Sequence, residues 1–249
     1  MRDSRSTRWR VSLVLTLLLG LVAATAAAQF GFRGRMGGLE PNLKYDGRFT
    51  FARLRYTNNS AWNHDYPRAD RHLVRILSEV SLLPANTDGG NVFRLDDPEL
   101  FKYPIAYMSE PGYWDMSDRE ALKLREYLLK GGFLIFDDFE GEQWHNMAEQ
   151  MRRVLPDGRW VKVDVPHALF DSFFRMDSVD FPHPMTGAKP NYQVIFENND
   201  PTRRVMVVAN HDNDVAEYWE WSDTGFAPIE LSNEAYKLGV NYLVYAVTH

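Results

Sequence analysis

Apolar and amphipathic segments alternate along most of the chain, and this pattern predicts its elements. Strands are predicted at 48–56, 91–95, 103–109, 133–137 and 160–165, and on both sides of a turn at 198–202. Helices are predicted from Pro67, from the capping-box pattern Ser117-x-x-Glu120, over 144–155 and over 233–246. Strands that alternate with helices predict an α/β fold with a mainly parallel sheet, to which the later hairpin adds an antiparallel pair.

The segment FLIFD at 133–137 is apolar almost to its end, which is typical of a strand covered on both faces. It follows a helix stop at Gly131 and ends in Asp137 and Asp138. Ligands of open α/β sheets bind outside the carboxyl ends of the strands, so the pair is placed for chemistry. The structural alternative is that Asp138 caps a helix and Asp137 accepts hydrogen bonds from loop amides.

Further candidate side chains follow the other predicted strands. The ligand-binding candidates are Trp62, His64, Asp65, Glu110, Tyr113, His211 and Asp212. His183 lies between two prolines, which fix the shape of its loop, and joins Asp137 and Asp138 as a catalytic candidate.

Most of these residues also have a structural interpretation. Asp65 could cap the helix that begins at Pro67, and His64 and His183 could be ordinary loop histidines. The segment NHDND at 210–214 resembles an oxygen-rich cation loop, but it lacks the glycine and distal glutamate of an EF-hand and also fits an Asx-rich turn. Trp219 and Trp221 are expected at a strand edge or in the core, although stacked tryptophans also suit sugars.

The first 28 residues have the order of zones found in a secretory signal peptide. Four arginines precede an apolar run at 11–22, and small residues lead to an expected cleavage after Ala28. The alternative is an uncleaved anchor, for which the apolar run is short. We therefore expect an exported periplasmic or extracellular protein with a flexible linker at 29–47, one domain at 48–249 and no transmembrane segment after cleavage.

Composition excludes several functional classes. Removal of residues 1–28 lowers the formal charge from −6 to −9, which argues against a nucleic-acid partner. The chain contains no cysteine, so it has neither disulfides nor a thiol nucleophile. Serine-hydrolase elbows, H-E-x-x-H motifs, P-loops and dinucleotide-binding motifs are also missing from the sequence.

The segment at 103–139, YPIAYMSEPGYWDMSDREALKLREYLLKGGFLIFDDF, resembles the central block of an uncharacterised bacterial family catalogued as domain of unknown function 4159. RYTNNSAWNHDYPRAD, HPMTG and LGVNYLVYAVTH resemble its other hallmarks, so the similarity covers about 48–249. The same block is more distantly similar to the class I glutamine-amidotransferase-like superfamily, including trehalose-utilisation-type proteins. That resemblance implies a flavodoxin-like three-layer sandwich with an elbow at Asp137 or Asp138, where amidotransferases carry a cysteine that this chain lacks.

Two functional hypotheses follow, and whether the chain is an enzyme stays open at this stage. The first is a binding or assembly module of the cell envelope, with a glycan or an envelope protein as partner and an aromatic recognition surface. The residues of that surface would be Trp62, Tyr113, Trp114, Trp219 and Trp221. The alternative is a periplasmic hydrolase acting on carbohydrate or cell-wall material, in which either one carboxylate acts as a base or the aspartate pair holds a divalent cation as cofactor. Its site would be formed by convergence of His64, Asp137, Asp138, His183 and His211.

Overall fold

The computed structural model describes residues 39–57 and 59–249, so the predicted signal peptide and the first part of the predicted linker lie outside the described residues. Within Pro41–His249 the strands are β1 Ala52–Arg55, β2 Asn91–Arg94, β3 Ile105–Ser109, β4 Phe133–Phe139, β5 Val161–Lys162, β6 Asn191–Phe196 and β7 Val205–His211. The α-helices are α1 Arg68–Val80, α2 Asp118–Leu129, α3 Gln143–Val154, α4 Val215–Glu220 and α5 Ile229–Thr248. Short 3-10 turns occur at Ala61–Asn63, Pro98–Lys102, Pro111–Tyr113, Ala168–Phe170 and Glu197–Asn199.

The strands form one sheet in the order β2-β1-β3-β4-β7-β6-β5. The first five strands in this order are parallel, whereas β6 is antiparallel to both β7 and β5. The parallel part has the flavodoxin-like order, in which the direction of strand addition reverses between β1 and β3. The predicted α/β fold with a mainly parallel sheet and an added hairpin is therefore confirmed.

Helices cover both faces of the sheet and give three layers. Apolar residues of α1, α4 and α5 pack on one face, and those of α2 and α3 pack on the other. Alternate β4 side chains pack on opposite faces of the sheet. Phe133 and Ile135 face α1, α4 and α5, whereas Leu134 and Phe136 face α2 and α3. This double burial explains why the β4 sequence is a continuous apolar run.

The helices that follow β1 and β3 lie on opposite faces of the sheet. The chain therefore leaves the carboxyl ends of these two neighbouring strands in opposite directions, which opens a crevice at that edge. The Ser117 cap holds the start of α2, where its hydroxyl accepts from the Glu120 amide and the Glu120 carboxylate accepts from the Ser117 amide. The loops around this crevice position the candidate site.

Part of the segment predicted as a linker is attached to the sheet. Asn42 and Leu43 form hydrogen bonds with Val92 and Asn91 of β2. In the part of the chain that the structure describes, no helix is both long and apolar enough to cross a bilayer.

Candidate functional site

Asp138 faces the crevice because the backbone of β4 is distorted there. The pairing of β4 with β7 shifts register between Phe136 and Phe139, and Asp138 has a left-handed φ of +59°. Its carboxylate Oδ2 lies 2.7 Å from His64 Nδ1 and accepts a hydrogen bond from the Ser109 hydroxyl at 3.2 Å. Asp138 does not begin α3, which starts at Gln143. The helix-cap interpretation of Asp138 is therefore replaced by a contact with the histidine.

Asp137 has a structural role at the N-terminus of a different helix, α4. Its carboxylate accepts from the backbone amides of Val215 and Ala216 at 3.2 and 2.9 Å. The Tyr107 hydroxyl and the Asn210 side-chain amide donate to the same carboxylate at 3.0 and 2.9 Å. Burial raises the pKa of Asp137 to about 6 in spite of these donors. Asp137 therefore joins β4 to α4, and its oxygens are already occupied.

His64 and Asp65 lie on the β1–α1 loop, which a buried arginine holds in place. Arg53 forms a bidentate ion pair with Asp70 and also donates to the carbonyl oxygens of Trp62 and His64, at 3.1 and 2.8 Å. The side chain of His64 is 56% exposed and that of Asp65 is 1% exposed. The loop thus presents one histidine to the rim of the crevice and one carboxylate to its interior.

The short helix α4 contributes two more carboxylates. Asp214 is its N-cap and accepts from the Glu217 amide at 2.9 Å. Ligand atoms of His64, Asp138 and Asp214 all lie within 4.8 Å of one another, and so do those of Asp65, Asp214 and Glu217. Five potential metal ligands, from the β1–α1 loop, the end of β4 and the start of α4, therefore surround a small volume at the carboxyl edge of the sheet.

The negative charges in this cluster repel one another strongly. Two carboxylates 4.8 Å apart repel by about 3 kcal/mol at an effective dielectric constant of about 20. Burial raises the pKa of Asp65 and of Asp214 well above the ordinary range, and mutual repulsion adds to that effect. The hydrogen bond that His64 donates to the Asp138 carboxylate raises the pKa of His64 to about 9. Without a cation the cluster therefore favours bound protons.

Glu110 and Glu220 extend the acidic character of the crevice. Glu110 follows β3 with a left-handed φ of +51°, and burial raises its pKa to about 7. Burial also raises the pKa of Glu220, at the end of α4, and the charge of Glu217 adds to this. The site therefore combines carboxylates suited to bind a cation with one suited to exchange a proton.

The structure does not bring His183 or His211 into contact with Asp138 among the contacts of the described residues. His183 is buried, and its Nδ1 accepts from the Met185 amide within its own loop at 3.1 Å. His211 Nε2 lies 3.1 Å from the Gly141 carbonyl oxygen, and its ring packs between Phe139 and Trp144. Both histidines therefore have local structural partners.

Asp212 resembles the cluster residues in conformation but has a different partner. It has a left-handed φ of +60°, and its Oδ1 accepts from the Gly141 amide at 2.9 Å. This contact ties the end of β7 to the loop after β4. Asp212 lies outside both groups of potential ligands.

The aromatic residues proposed for a recognition surface are mostly buried. Trp62, Trp114 and Trp219 are 8%, 1% and 1% exposed, whereas Tyr113 is 53% exposed. Trp221 is partly exposed at the end of α4, where Arg68 lies over its ring. Tyr113 and Trp221 are therefore the members of this set that offer an accessible aromatic surface.

Asp214 entered the sequence predictions only as the last residue of the NHDND segment, and Glu217 was not a candidate. The pattern Asp214-x-x-Glu217 before an apolar pair is a helix-start signal and could have located them. The helix start was not predicted, because the alternating positions of Trp219 and Trp221 favour a strand. Both tryptophans instead belong to a single short helical turn and its C-cap.

Fold and site together define an α/β protein with an acidic crevice and one histidine at the carboxyl edge of its parallel strands. The family model described as "Domain of unknown function (DUF4159)" matches residues 50–247, so the chain belongs to that family. No curated protein matches the chain.

Proposed function

We propose that the crevice binds a divalent cation through His64, Asp138 and Asp214, and that the protein is a metal-dependent hydrolase. The observation that carries this proposal is the set of three ligand atoms within 4.8 Å of one another. Ligand atoms of one cation with bonds of about 2.0–2.2 Å lie at most about 4.4 Å apart. Three ligand atoms within 4.8 Å of one another are therefore close to the spacing that a single cation requires. A mixed imidazole and carboxylate set suits zinc, manganese or iron better than calcium.

The chemistry of such a centre is addition of water across a polar bond. A cation held by His64, Asp138 and Asp214 would supply Lewis-acid activation of a water molecule, so that the water could attack an electrophilic carbon and release a proton. We assign the proton to Glu110, which is half-buried at the same edge. The leaving group then takes up that proton, so the net change is hydrolysis.

The distant amidotransferase-like similarity supports the choice of Asp138. In that superfamily the residue after the corresponding strand carries the reaction, and in this chain Asp138 lies in a strained turn at that place. We propose that a cation-bound water replaces the missing cysteine as nucleophile. The substrate class that we propose is carbohydrate or cell-wall material.

Export is part of this proposal, because cell-wall substrates lie outside the cytoplasm. The basic, apolar and small-residue zones before Gln29 support it. Expression of the full chain in a bacterial host should yield secreted protein whose N-terminal residue, read by sequencing, is Gln29. Retention of the intact N-terminus in the cytoplasm would contradict export.

The first test is metal analysis of the purified full chain. We expect bound zinc, manganese or iron in the wild type, and at least a tenfold loss of affinity in Asp138→Asn and in His64→Ala. Asp212→Asn is the matched control for Asp138→Asn, since Asp212 has the same backbone conformation at the same sheet edge. His145→Ala, an exposed histidine, is the control for His64→Ala.

The second test is turnover of p-nitrophenyl esters, p-nitrophenyl glycosides and purified peptidoglycan by the metal-loaded protein. We expect metal-dependent hydrolysis that Glu110→Gln reduces by at least 100-fold without changing metal binding. If the protein binds metal but hydrolyses none of these substrates, the hydrolase proposal is rejected and the envelope binding module is favoured. Equal metal content in wild type and both ligand variants would reject the cation site.

A further inference from the structure

Asp65 carries a buried carboxylate whose oxygens have no hydrogen-bond donor. Neither Oδ1 nor Oδ2 receives an N–H or O–H group within the described part of the chain. Its backbone position is fixed, because the Ala69 amide donates to the Asp65 carbonyl oxygen and Arg53 donates to the preceding carbonyl oxygen of His64. Buried polar side chains normally have partners, so an orphaned carboxylate indicates an absent cation or a bound proton.

The surroundings of Asp65 favour the cation. Oxygens of Asp65, Asp214 and Glu217 lie within 4.8 Å of one another, and these residues supply carboxylates alone. The nearest buried arginine, Arg53, is already paired with both oxygens of Asp70. His64 Nδ1 lies 3.7 Å from Asp65 Oδ1, beyond hydrogen-bond distance, and its hydrogen bond is to Asp138 Oδ2 at 2.7 Å. Three acidic groups therefore surround one point, with one imidazole beside them.

Asp214 belongs to both groups of potential ligands. One group contains His64 and Asp138, and the other contains Asp65 and Glu217. A carboxylate has two oxygens and can bind one cation with each, as in two-metal sites whose ions lie about 3.5–4 Å apart. The shared position of Asp214 is that of a bridging ligand.

We infer that the crevice holds two divalent cations, with Asp214 bridging a first site of His64 and Asp138 to a second site of Asp65 and Glu217. This inference rests on the proposed function, because it adds a second cation to the same centre. The all-oxygen second site suits manganese or magnesium, and manganese also suits the first site. Two cations would position both the attacking and the leaving oxygen of a substrate.

The experiment is titration of the metal-free full chain with Mn²⁺, followed by calorimetry and by electron paramagnetic resonance. We expect two Mn²⁺ per chain with a spin-coupled signal in the wild type. Asp65→Asn should bind one Mn²⁺ with an uncoupled signal. Asparagine tolerates the left-handed φ of +62° at this position, and circular dichroism checks that the variant is folded. Asp212→Asn should keep two Mn²⁺ and the coupled signal.

The outcomes separate this inference from the proposed function. One Mn²⁺ per wild-type chain, lost in His64→Ala, overturns the two-metal centre and leaves the proposed function standing. Two Mn²⁺ in both wild type and Asp65→Asn also overturns the assignment of Asp65. One Mn²⁺ lost only in Asp65→Asn overturns the first site and the bridge. Absence of Mn²⁺ binding in the wild type overturns both proposals.

Discussion

Replacement of Asp65 by asparagine should stabilise the metal-free protein. An unpartnered buried polar group costs about 1–3 kcal/mol, and more when it is charged. Asparagine removes the charge, keeps the left-handed backbone and supplies an amide that can donate to Asp214 or Glu217, whose oxygens lie within 4.8 Å. We expect the free energy of unfolding at pH 8 to rise by about 1–3 kcal/mol in the presence of a chelator.

The gain in stability from Asp65→Asn should increase with pH. Burial raises the pKa of Asp65 well above its ordinary value of 3.8, so the folded protein keeps a proton that the unfolded chain has released. The stability contribution of Asp65 therefore falls as the pH rises above about 4 and is least favourable above the raised pKa. The advantage of Asp65→Asn should be small near pH 4 and largest at pH 8.

Bound metal should make the wild type more stable than Asp65→Asn. A ligand present at about 1,000 times its dissociation constant stabilises the folded state by about 4.1 kcal/mol, which exceeds the expected gain of about 1–3 kcal/mol, and Asp65→Asn loses that contribution at the second site. Urea unfolding followed by circular dichroism, with chelator and with saturating Mn²⁺, measures both effects. If Asp65→Asn were equally or less stable than the wild type in chelator at pH 8, the reasoning from burial would be refuted.

Asp70 supplies the matched control for Asp65. It lies five positions further along the chain and is also buried, but its oxygens bind Arg53. Asp70→Asn leaves a buried guanidinium without its countercharge, so we expect a loss of about 3–5 kcal/mol. A gain in stability for Asp65→Asn and a loss for Asp70→Asn would show that the hydrogen-bond partner of a buried aspartate, and not burial alone, decides the effect of its replacement.

Three further changes test the framework of the site. Asp137→Ala leaves four buried donors without an acceptor, so urea unfolding should show a loss of at least about 3 kcal/mol, and a loss below 1 kcal/mol would contradict the role of Asp137. Gly132→Ala places a Cβ 2.4 Å from the Tyr127 ring and should cost about 1–3 kcal/mol. Gly131→Ala has open space but a φ of +109°, so we expect a loss of about 1 kcal/mol in the same assay. Chelation should lower the thermal midpoint of the wild type more than that of Asp138→Asn, and equal shifts would reject Asp138 as a ligand.

The sequence placed the candidate site at the carboxyl edge of the sheet but could not separate the roles of Asp137 and Asp138. The continuous apolar run predicted a doubly covered strand, and its carboxyl end is where ligands bind. Which carboxylate faces the crevice depends on the distorted backbone at Asp138 and on the amides of Val215 and Ala216, which are far away along the chain. Neither is visible in the local pattern.

Strand alternation explains why His211 does not join the cluster. On β7, Asn210 contacts Asp137 and Tyr242 on the side of α5, and His211 points to Phe139 and Trp144 on the other face. Successive side chains of a strand point to opposite faces of the sheet. A shift of one position along β7 therefore decides whether a side chain faces the site. The sequence predicted the right edge, but the face required the register of β7 against β4.

Backbone strain gives an independent reason to regard the crevice as functional. Asp65, Glu110 and Asp138 all have positive φ, and they lie on the β1–α1 loop, directly after β3 and near the end of β4. Each such conformation costs on the order of 1 kcal/mol, and glycine would avoid that cost without adding charge. A purely structural role would be better served by residues that do not repel one another. A cation offsets both the repulsion and the strain, so the three strained acids favour a metal centre over a set of loop caps.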